Sequence, residues 1–477
     1  MARLPLAIAL PAAVKLGAHL ATANRYGYHR DELYFIAASD RLAWGFVDFP
    51  PVTPVVTWVG RNVFGDTLFG VRVIPALVGA AVVVLTGLIA RRLGAGPFGQ
   101  ALACTAVLAS AIFLGGNGLL SATGLDQLTG LAVTYLFLRL LESDDARWWL
   151  ALGAGIGVAV WTKYTVLFLV FGLAVGLLAT PGRRWLRTPW PWLGTGIAVA
   201  MIVPNLVWQV RRGWPTLEFF GSQGTSATAE SSVFEYLLNQ VLLPGPLALP
   251  VLVVGVVWLF RDERFRALGW MYVAVFVVVG AVGGKSYYVA PLYPVAFAAG
   301  AVVVERAARG WRRAAAAGVV VSGLASLPIG LPVLPPDTMV AWGIGEARAD
   351  FPDMFGWPEL ARTVDAVAVS TGDPDAIALA RNYGEAAAIE RFGVTPVVST
   401  HNAYFFWRPD GLRPRTVVAV GYSRERLSEL FGDVQEVATV TNDAGIDNVE
   451  SGRAVYVCRE PIVPLGDAWD DLKLFTA

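Results

Sequence analysis

Tyr28-His29-Arg30-Asp31-Glu32-Leu33-Tyr34 follows directly on a first apolar stretch, and its two adjacent carboxylates decide how the rest of the chain is read. Asp40, Asp48 and the stiff Phe49-Pro50-Pro51 turn come next, after which the sequence is apolar again. Acidic side chains beside a bilayer are expensive and tend to be kept for function. A solvated pair in a polar loop is the plainer alternative. Acidic residues are so sparse in the rest of the apolar part that the functional reading is preferred.

A mean hydropathy of +0.55, with 55% hydrophobic and 16% charged residues, excludes a soluble enzyme of this length. The net charge of zero conceals a division. Residues 1–332 hold 25 Lys and Arg against 15 Asp and Glu, whereas residues 333–477 hold 12 against 22. The expectation is a basic membrane body over 1–332, with a first outer loop at 24–66, and an acidic soluble α/β domain over 333–477. Such a tail is long enough to bury its own core. Ala376–Ala380, Thr416–Val420 and Ala454–Cys458 read as short apolar strands, and Gly384–Phe392 and Ser423–Phe431 have helical spacing. Cys104 and Cys458 lie in different parts, so no disulfide is expected between them. Met1-Ala2-Arg3 and the apolar residues after it read as an uncleaved signal anchor, because Lys15 and His19 interrupt the run.

About eleven segments near the roughly 17–25 residues that a bilayer core demands can be marked. They lie at 4–23, 67–90, 98–116, 124–141, 148–161, 165–181, 190–208, 236–260, 268–283, 288–304 and 314–332. Arg91-Arg92, Arg183-Arg184, Arg261 with Arg264, and Arg312-Arg313 mark one set of loops as cytoplasmic by the positive-inside rule. Eleven crossings then put the 24–66 loop, the Lys163 and Lys285 turns, the 209–235 loop and the whole tail outside. Nine of the 15 acidic residues of the body fall on that outer face: Asp31, Glu32, Asp40, Asp48, Asp66, Asp126, Glu218, Glu230 and Glu235. Arg25, Arg30, Arg72, Lys163 and Lys285 lie there too, against the rule's bias. Cations beside carboxylates are what chemistry on a phosphate-bearing lipid needs, since cations hold the phosphate and a carboxylate prepares a nucleophile. Ordinary headgroup contact is the alternative for any single arginine.

The loop Gly27–Tyr34, together with Trp44-Gly45-Phe46-Val47-Asp48-Phe49-Pro50-Pro51, resembles bacterial GT-C glycosyltransferases, in the branch of the protein O-mannosyltransferases and the aminoarabinose transferase of lipid A. Further matches are Asp126-Gln127, Lys163-Tyr164-Thr165, Pro204–Gln209, Gly284–Pro294 and, in the tail, Asp353–Trp357, Asn382-Tyr383-Gly384 and His401–Tyr404. The resemblance implies an α-helical polytopic membrane protein of GT-C type, about eleven transmembrane helices with a C-terminal extracytoplasmic α/β domain, in the cytoplasmic membrane. It implies inverting transfer of a sugar from a polyprenyl-phosphate donor to an acceptor protein, glycan, lipid or natural product on the outer face. No Gly-rich nucleotide fingerprint follows a strand before the tail, which argues against a nucleotide-sugar donor, and no nucleic-acid partner is expected.

By the same resemblance Asp31 stands where the family's proposed base stands, and Glu32 is the neighbour that orients the loop or strengthens that base by like-charge repulsion. Lys285 with Tyr287 and Tyr288 resembles a lipid-phosphate clamp, with Lys163 and Arg30 as further phosphate ligands. Asp126, Asp48 and His29 are candidates for substrate contact. A helix-terminal carboxylate, an anchor for the loop's return and a bystander imidazole are their respective alternatives, and snorkelling is that of Lys163. Asp31 and Asp126 are the candidate holders of a divalent metal, although three histidines supply no recognisable ligand set. His401-Asn402 is read as structural capping more than as a cavity wall. A polytopic transporter, or a non-catalytic receptor or scaffold, remains as an alternative class. The first would carry polar residues at mid-bilayer and similar halves, which this chain does not.

Overall fold

The computed structural model describes residues 4–223 and 232–476; Met1-Ala2-Arg3, Glu230 and Ala477 lie outside them. Each expected apolar segment corresponds to a helix or a pair of helices, because backbone in a bilayer must satisfy its own hydrogen bonds. Leu68–Arg92, Pro189–Arg211, Ser286–Arg306 and Arg309–Gly330 are long and apolar enough to cross a membrane singly. Val166–Leu178 with Pro181–Arg187, bent by 104°, makes a fifth if counted as one span. Leu6–Thr22, Pro97–Ala109, Trp148–Thr162, Leu249–Arg261 and Arg266–Ala281 are apolar but shorter. The chain is thus a multi-pass helical membrane protein.

Two expected spans are broken. The 98–116 segment stops at Ser110, whose backbone turns to ψ 130° before Ala111–Gly116 resumes as a short helix. The 236–260 segment is cut at Pro244-Gly245-Pro246 into Val233–Leu242 and Leu249–Arg261. Pro246 has no N–H to give, and Gly245 sits at φ 97°, which side-chain-bearing residues avoid.

The 24–66 stretch, expected as loop, folds into the helices Arg30–Ser39 and Val52–Phe64. The first starts in a capping box: the His29 side chain accepts from the Asp31 N–H (3.2 Å), and Glu32 accepts from the His29 N–H (3.0 Å). Every residue from Glu32 to Ser39 is buried, so this helix is packed on all sides.

The tail carries a five-stranded sheet with strands β1 (Ile377–Ala380), β2 (Val397–Ser399), β3 (Val417–Val420), β4 (Phe431–Thr439) and β5 (Ala454–Pro461), in the order β2-β1-β3-β5-β4. β1 runs parallel to β2 and β3, while β5 is antiparallel to β3 and β4. The three expected strands are β1, β3 and β5, and the expected helix is Tyr383–Phe392. The helical spacing read over 423–431 extends only to Ser428, because Phe431 opens β4, which pairs along almost the whole of β5.

The tail buries one core of its own and shares a second with the outer loop. Successive strand residues point to opposite faces. Leu379, Val417, Ala419 and Cys458 pack beneath Trp469 on one face. On the other, Ala378, Val418, Val420 and Val455 join Trp357 and Ile389, and then Leu33, Tyr34, Phe35, Phe46 and Phe49 of the outer loop. The division expected at 332/333 is therefore crossed by one continuous hydrophobic core. The approach is close: a Cβ on Gly27 would collide with the carbonyl oxygen of Met354.

Candidate active site

Where the outer-loop helix, the ends of the membrane helices and the tail converge, a cavity of about 590 Å³ opens. Its wall includes His29, Arg30, Asp31, Tyr34, Asp48, Lys163, Lys285, Tyr287, Tyr288, Asp350, Asp353, Tyr383 and Asn402. A second chamber of about 430 Å³ shares Asp31, Thr123, Lys285, Tyr287 and Asp350 with it and continues over Ala111, Ile112, Leu243 and Ile329. Beyond lies an apolar groove of about 440 Å³, reached past Ala111, Leu243 and Ile329 and lined further by Leu242, Leu247 and Val321.

Asp31 sits in the first turn of its helix, half-buried, and accepts at Oδ1 from the Tyr383 hydroxyl (2.9 Å). Its Oδ2 has no hydrogen-bond partner among the described residues. The Tyr383 ring is clamped between Tyr34 (4.4 Å between centroids) and His401 (5.0 Å), and its backbone N–H donates to His401 Nδ1 (3.1 Å). Burial, and then the Asp31 charge, push the Tyr383 hydroxyl well above its ordinary range, so it stays a donor.

Glu32, expected in the reacting centre, is not brought to the cavity. It is fully buried: Oε1 accepts from Arg72 Nε (2.9 Å) and the Leu120 N–H (3.0 Å), and Oε2 from Arg72 (2.7 Å) and the His29 N–H (3.0 Å). Burial alone would raise its carboxyl, but the Arg72 guanidinium and those N–H groups hold it below the usual carboxylate range. Four donors saturate Glu32, which makes it a structural anchor. One step along a helix turns a side chain by about 100°, enough to send adjacent carboxylates to opposite environments.

Arg30 reaches the cavity but is engaged by Asp353, through its Nε (2.6 Å), its terminal nitrogen and its backbone N–H (3.0 Å). Burial works against the Arg30 charge and Asp353 more than offsets it. The residue expected as a phosphate ligand thus reaches the cavity with its charge already paired to Asp353. His29 Nε2 lies 3.4 Å from Asp353 and 3.7 Å from Asp350, so it too faces carboxylates. Lys163 follows the Trp148–Thr162 helix; its Nζ donates to Thr123 Oγ1 (2.9 Å) and lies 4.9 and 5.3 Å from the Tyr287 and Tyr288 rings. Lys285 has no hydrogen-bond or ion-pair partner among the described residues and faces both chambers.

Asp126 is not on the cavity wall. It is buried behind Lys163 and accepts from Thr165 Oγ1 (3.2 Å). The metal pair Asp31 and Asp126 therefore does not share one surface, and among the described residues no three His, Cys, Asp or Glu side chains converge as metal ligands. Asp48 does line the cavity, accepting from Tyr34 (3.0 Å) and Asn402 Nδ2 (3.1 Å). Burial beneath the tail pushes its carboxyl up to about 7, and the Asp31 charge adds to this. Asn402 thus lines the cavity, whereas His401 serves the start of the Tyr383–Phe392 helix as a cap. Tyr383, Asp353 and Arg72 escaped assignment in the sequence. Only the Asn382-x-x-Glu385 capping box hinted at an ordered helix start beside Tyr383, and nothing local ties it to Asp31, 352 positions away.

Residues 48–208 match the family model of dolichyl-phosphate-mannose-protein mannosyltransferase. The lipid A galacturonosyltransferase RgtD of Rhizobium johnstonii is 23% identical over 358 residues, which is 72% of this chain and 73% of that protein. In fold the chain is similar to ArnT from Cupriavidus metallidurans, with a TM-score of 0.65 at 17% identity over 94% of this chain and 97% of that one. ArnT bound to undecaprenyl phosphate matches at 0.64. The oligosaccharyltransferase of Archaeoglobus fulgidus matches at 0.51 and 13% identity over 87% of this chain and 68% of its own.

Proposed function

We propose that this chain, which has the GT-C membrane glycosyltransferase fold, transfers a sugar from a polyprenyl-phosphate donor to an acceptor hydroxyl on the outer face of the cytoplasmic membrane. One observation carries the reading. The Asp31 carboxylate, tethered through one oxygen and open at the other, shares a cavity with the unpaired Lys285 and with Lys163. The donor's isoprenoid would run along the apolar groove, and its phosphate would meet Lys285 and Lys163. The undecaprenyl phosphate bound by ArnT is the same class of lipid.

In the proposed step Asp31 takes the acceptor O–H proton as that oxygen attacks the anomeric carbon in line. The new C–O bond forms while the bond from the anomeric carbon to the phosphate oxygen breaks, so the configuration inverts. Polyprenyl phosphate leaves as a monoester, its growing charge stabilised by the two lysines. Tyr383 holds Asp31 at the correct rotamer, which makes the tail part of the catalytic assembly. An acceptor that is a lipid or glycan accords with the lipid A relative, and residues 333–477 would stand on the same outer face as Asp31. Purified protein incubated with a polyprenyl-phosphate sugar and an acceptor lipid should release polyprenyl phosphate. Absence of release across hexose, pentose and uronic-acid donors would sink the reading.

A further inference from the structure

The cavity wall is chemically lopsided. Asp350 and Asp353 face Arg348, His29 and Arg30, whereas Asp31 and Asp48 meet no cation in an ion pair among the described residues. Lys285 lines both chambers; Asp48 and Asn402 line only the first. Lys163 lines the first chamber as well, so an anionic group is met by Lys163 and Lys285, while Asp48 has no ion-pair partner among the described residues.

At that second wall the donors are all committed. The Tyr34 hydroxyl donates to Asp48, the Tyr383 hydroxyl to Asp31, and Asn402 Nδ2 to both Asp48 (3.1 Å) and the Thr476 carbonyl (3.0 Å). Acceptor capacity remains. Asn402 is fully buried and its Oδ1 has no hydrogen-bond partner among the described residues. Each Asp48 oxygen holds one side-chain donor and has room for another. A buried acceptor without a donor is uncommon in a finished structure and points to a group that arrives later.

We propose that Asp48 and Asn402 form the recognition subsite for the transferred sugar, selecting one that meets this wall with hydroxyl hydrogens and rejecting a hexuronic acid. The inference rests on the polyprenyl-phosphate reading above and deepens it. Sugar hydroxyls would donate to Asn402 Oδ1 and to Asp48. A uronic carboxylate would set an acceptor against acceptors, beside two acidic residues. This chain would then differ in donor from the relative named for galacturonosyl transfer. Below about pH 7 the Asp48 carboxyl, raised by burial, gains a proton and hence a donor, so the discrimination should weaken there.

The test is binding to the purified full chain in detergent at pH 8, with three probes: polyprenyl phosphate, polyprenyl-phosphate hexose and polyprenyl-phosphate hexuronic acid. The hexose form should bind about tenfold more tightly than the uronic form. Asn402→Gly, chosen because φ at Asn402 is 47° and glycine accepts it, should abolish the preference and leave affinity for polyprenyl phosphate unchanged. Asp48→Asn, which supplies an amide donor, should admit the uronic form. Equal or tighter binding of the uronic form by the wild type, or a preference preserved in both variants, overturns the subsite. If polyprenyl phosphate itself does not bind, the donor class is wrong and the subsite falls with it. If it binds while the sugar makes no difference, only the subsite fails.

Discussion

Replacing Glu32 by Gln should unfold the protein more readily, while replacing its neighbour Asp31 by Asn should leave the fold intact. The two oxygens of Glu32 accept four donors, two from Arg72 and two from backbone N–H groups. An amide can keep only one of those oxygens, so two donors are left facing an NH₂ in a site with no water access. Arg72, itself 2% exposed, would retain one amide oxygen and the carbonyls of Ala23, Arg25 and Gly27, but no counter-charge. Breaking a buried pair by removing one partner costs about 3–5 kcal/mol. Asp31→Asn keeps the acceptor for Tyr383, and its loss of stability should stay within about 0.5 kcal/mol. Thermal unfolding in detergent, followed by the fluorescence of the 17 tryptophans, reads both. The pH dependence supplies a sign. Because Glu32 is held below its unfolded value, its contribution is present above about pH 4.3 and fades as the pH falls further. The gap between wild type and Glu32→Gln should therefore narrow in acid. A Glu32→Gln variant that melts with the wild type but has lost transfer would return Glu32 to the reacting centre and refute the assignment.

Asp31→Asn should abolish transfer, and turnover near wild type would require another base. Lys285→Ala should raise the apparent KM for the lipid-linked sugar, since one charge-assisted contact is worth roughly 1.5–3 kcal/mol; an unchanged KM would remove Lys285 from the phosphate site. Tyr383→Phe should lower kcat more than it raises KM, because the hydroxyl that holds the Asp31 carboxylate in place is gone; an unchanged kcat would leave Tyr383 with packing alone. A cysteine at the exposed Ser428 should react with an impermeant thiol reagent in spheroplasts, over a background kept low by the buried Cys104 and Cys458. Protection there would put the tail inside and part it from its proposed substrate.

The apolar helices and three of the strands were legible because burial writes itself locally. A run of bilayer length or a short β-branched run is a statement about its own neighbours in sequence. The breaks at Ser110 and Gly245 were less legible, since a proline or serine inside an apolar stretch can as easily be carried within a helix. β4 was missed because its residues are largely exposed and its strand character comes from pairing with β5.

For the site, sequence alone determined which residue types were available and roughly where: a carboxylate pair after the first apolar segment, lone lysines at later turns, and an acidic tail. Those are matters of composition along one dimension. Only tertiary structure decided how the charges cancel. It spent Arg30 on Asp353 and Arg72 on Glu32, withdrew Asp126 behind Lys163, and left Asp31, Asp48, Lys163 and Lys285 to face the cavity. It also brought Tyr383 across 352 positions to Asp31. Electrostatic work depends on distance and on access to water, and neither can be read from the order of residues.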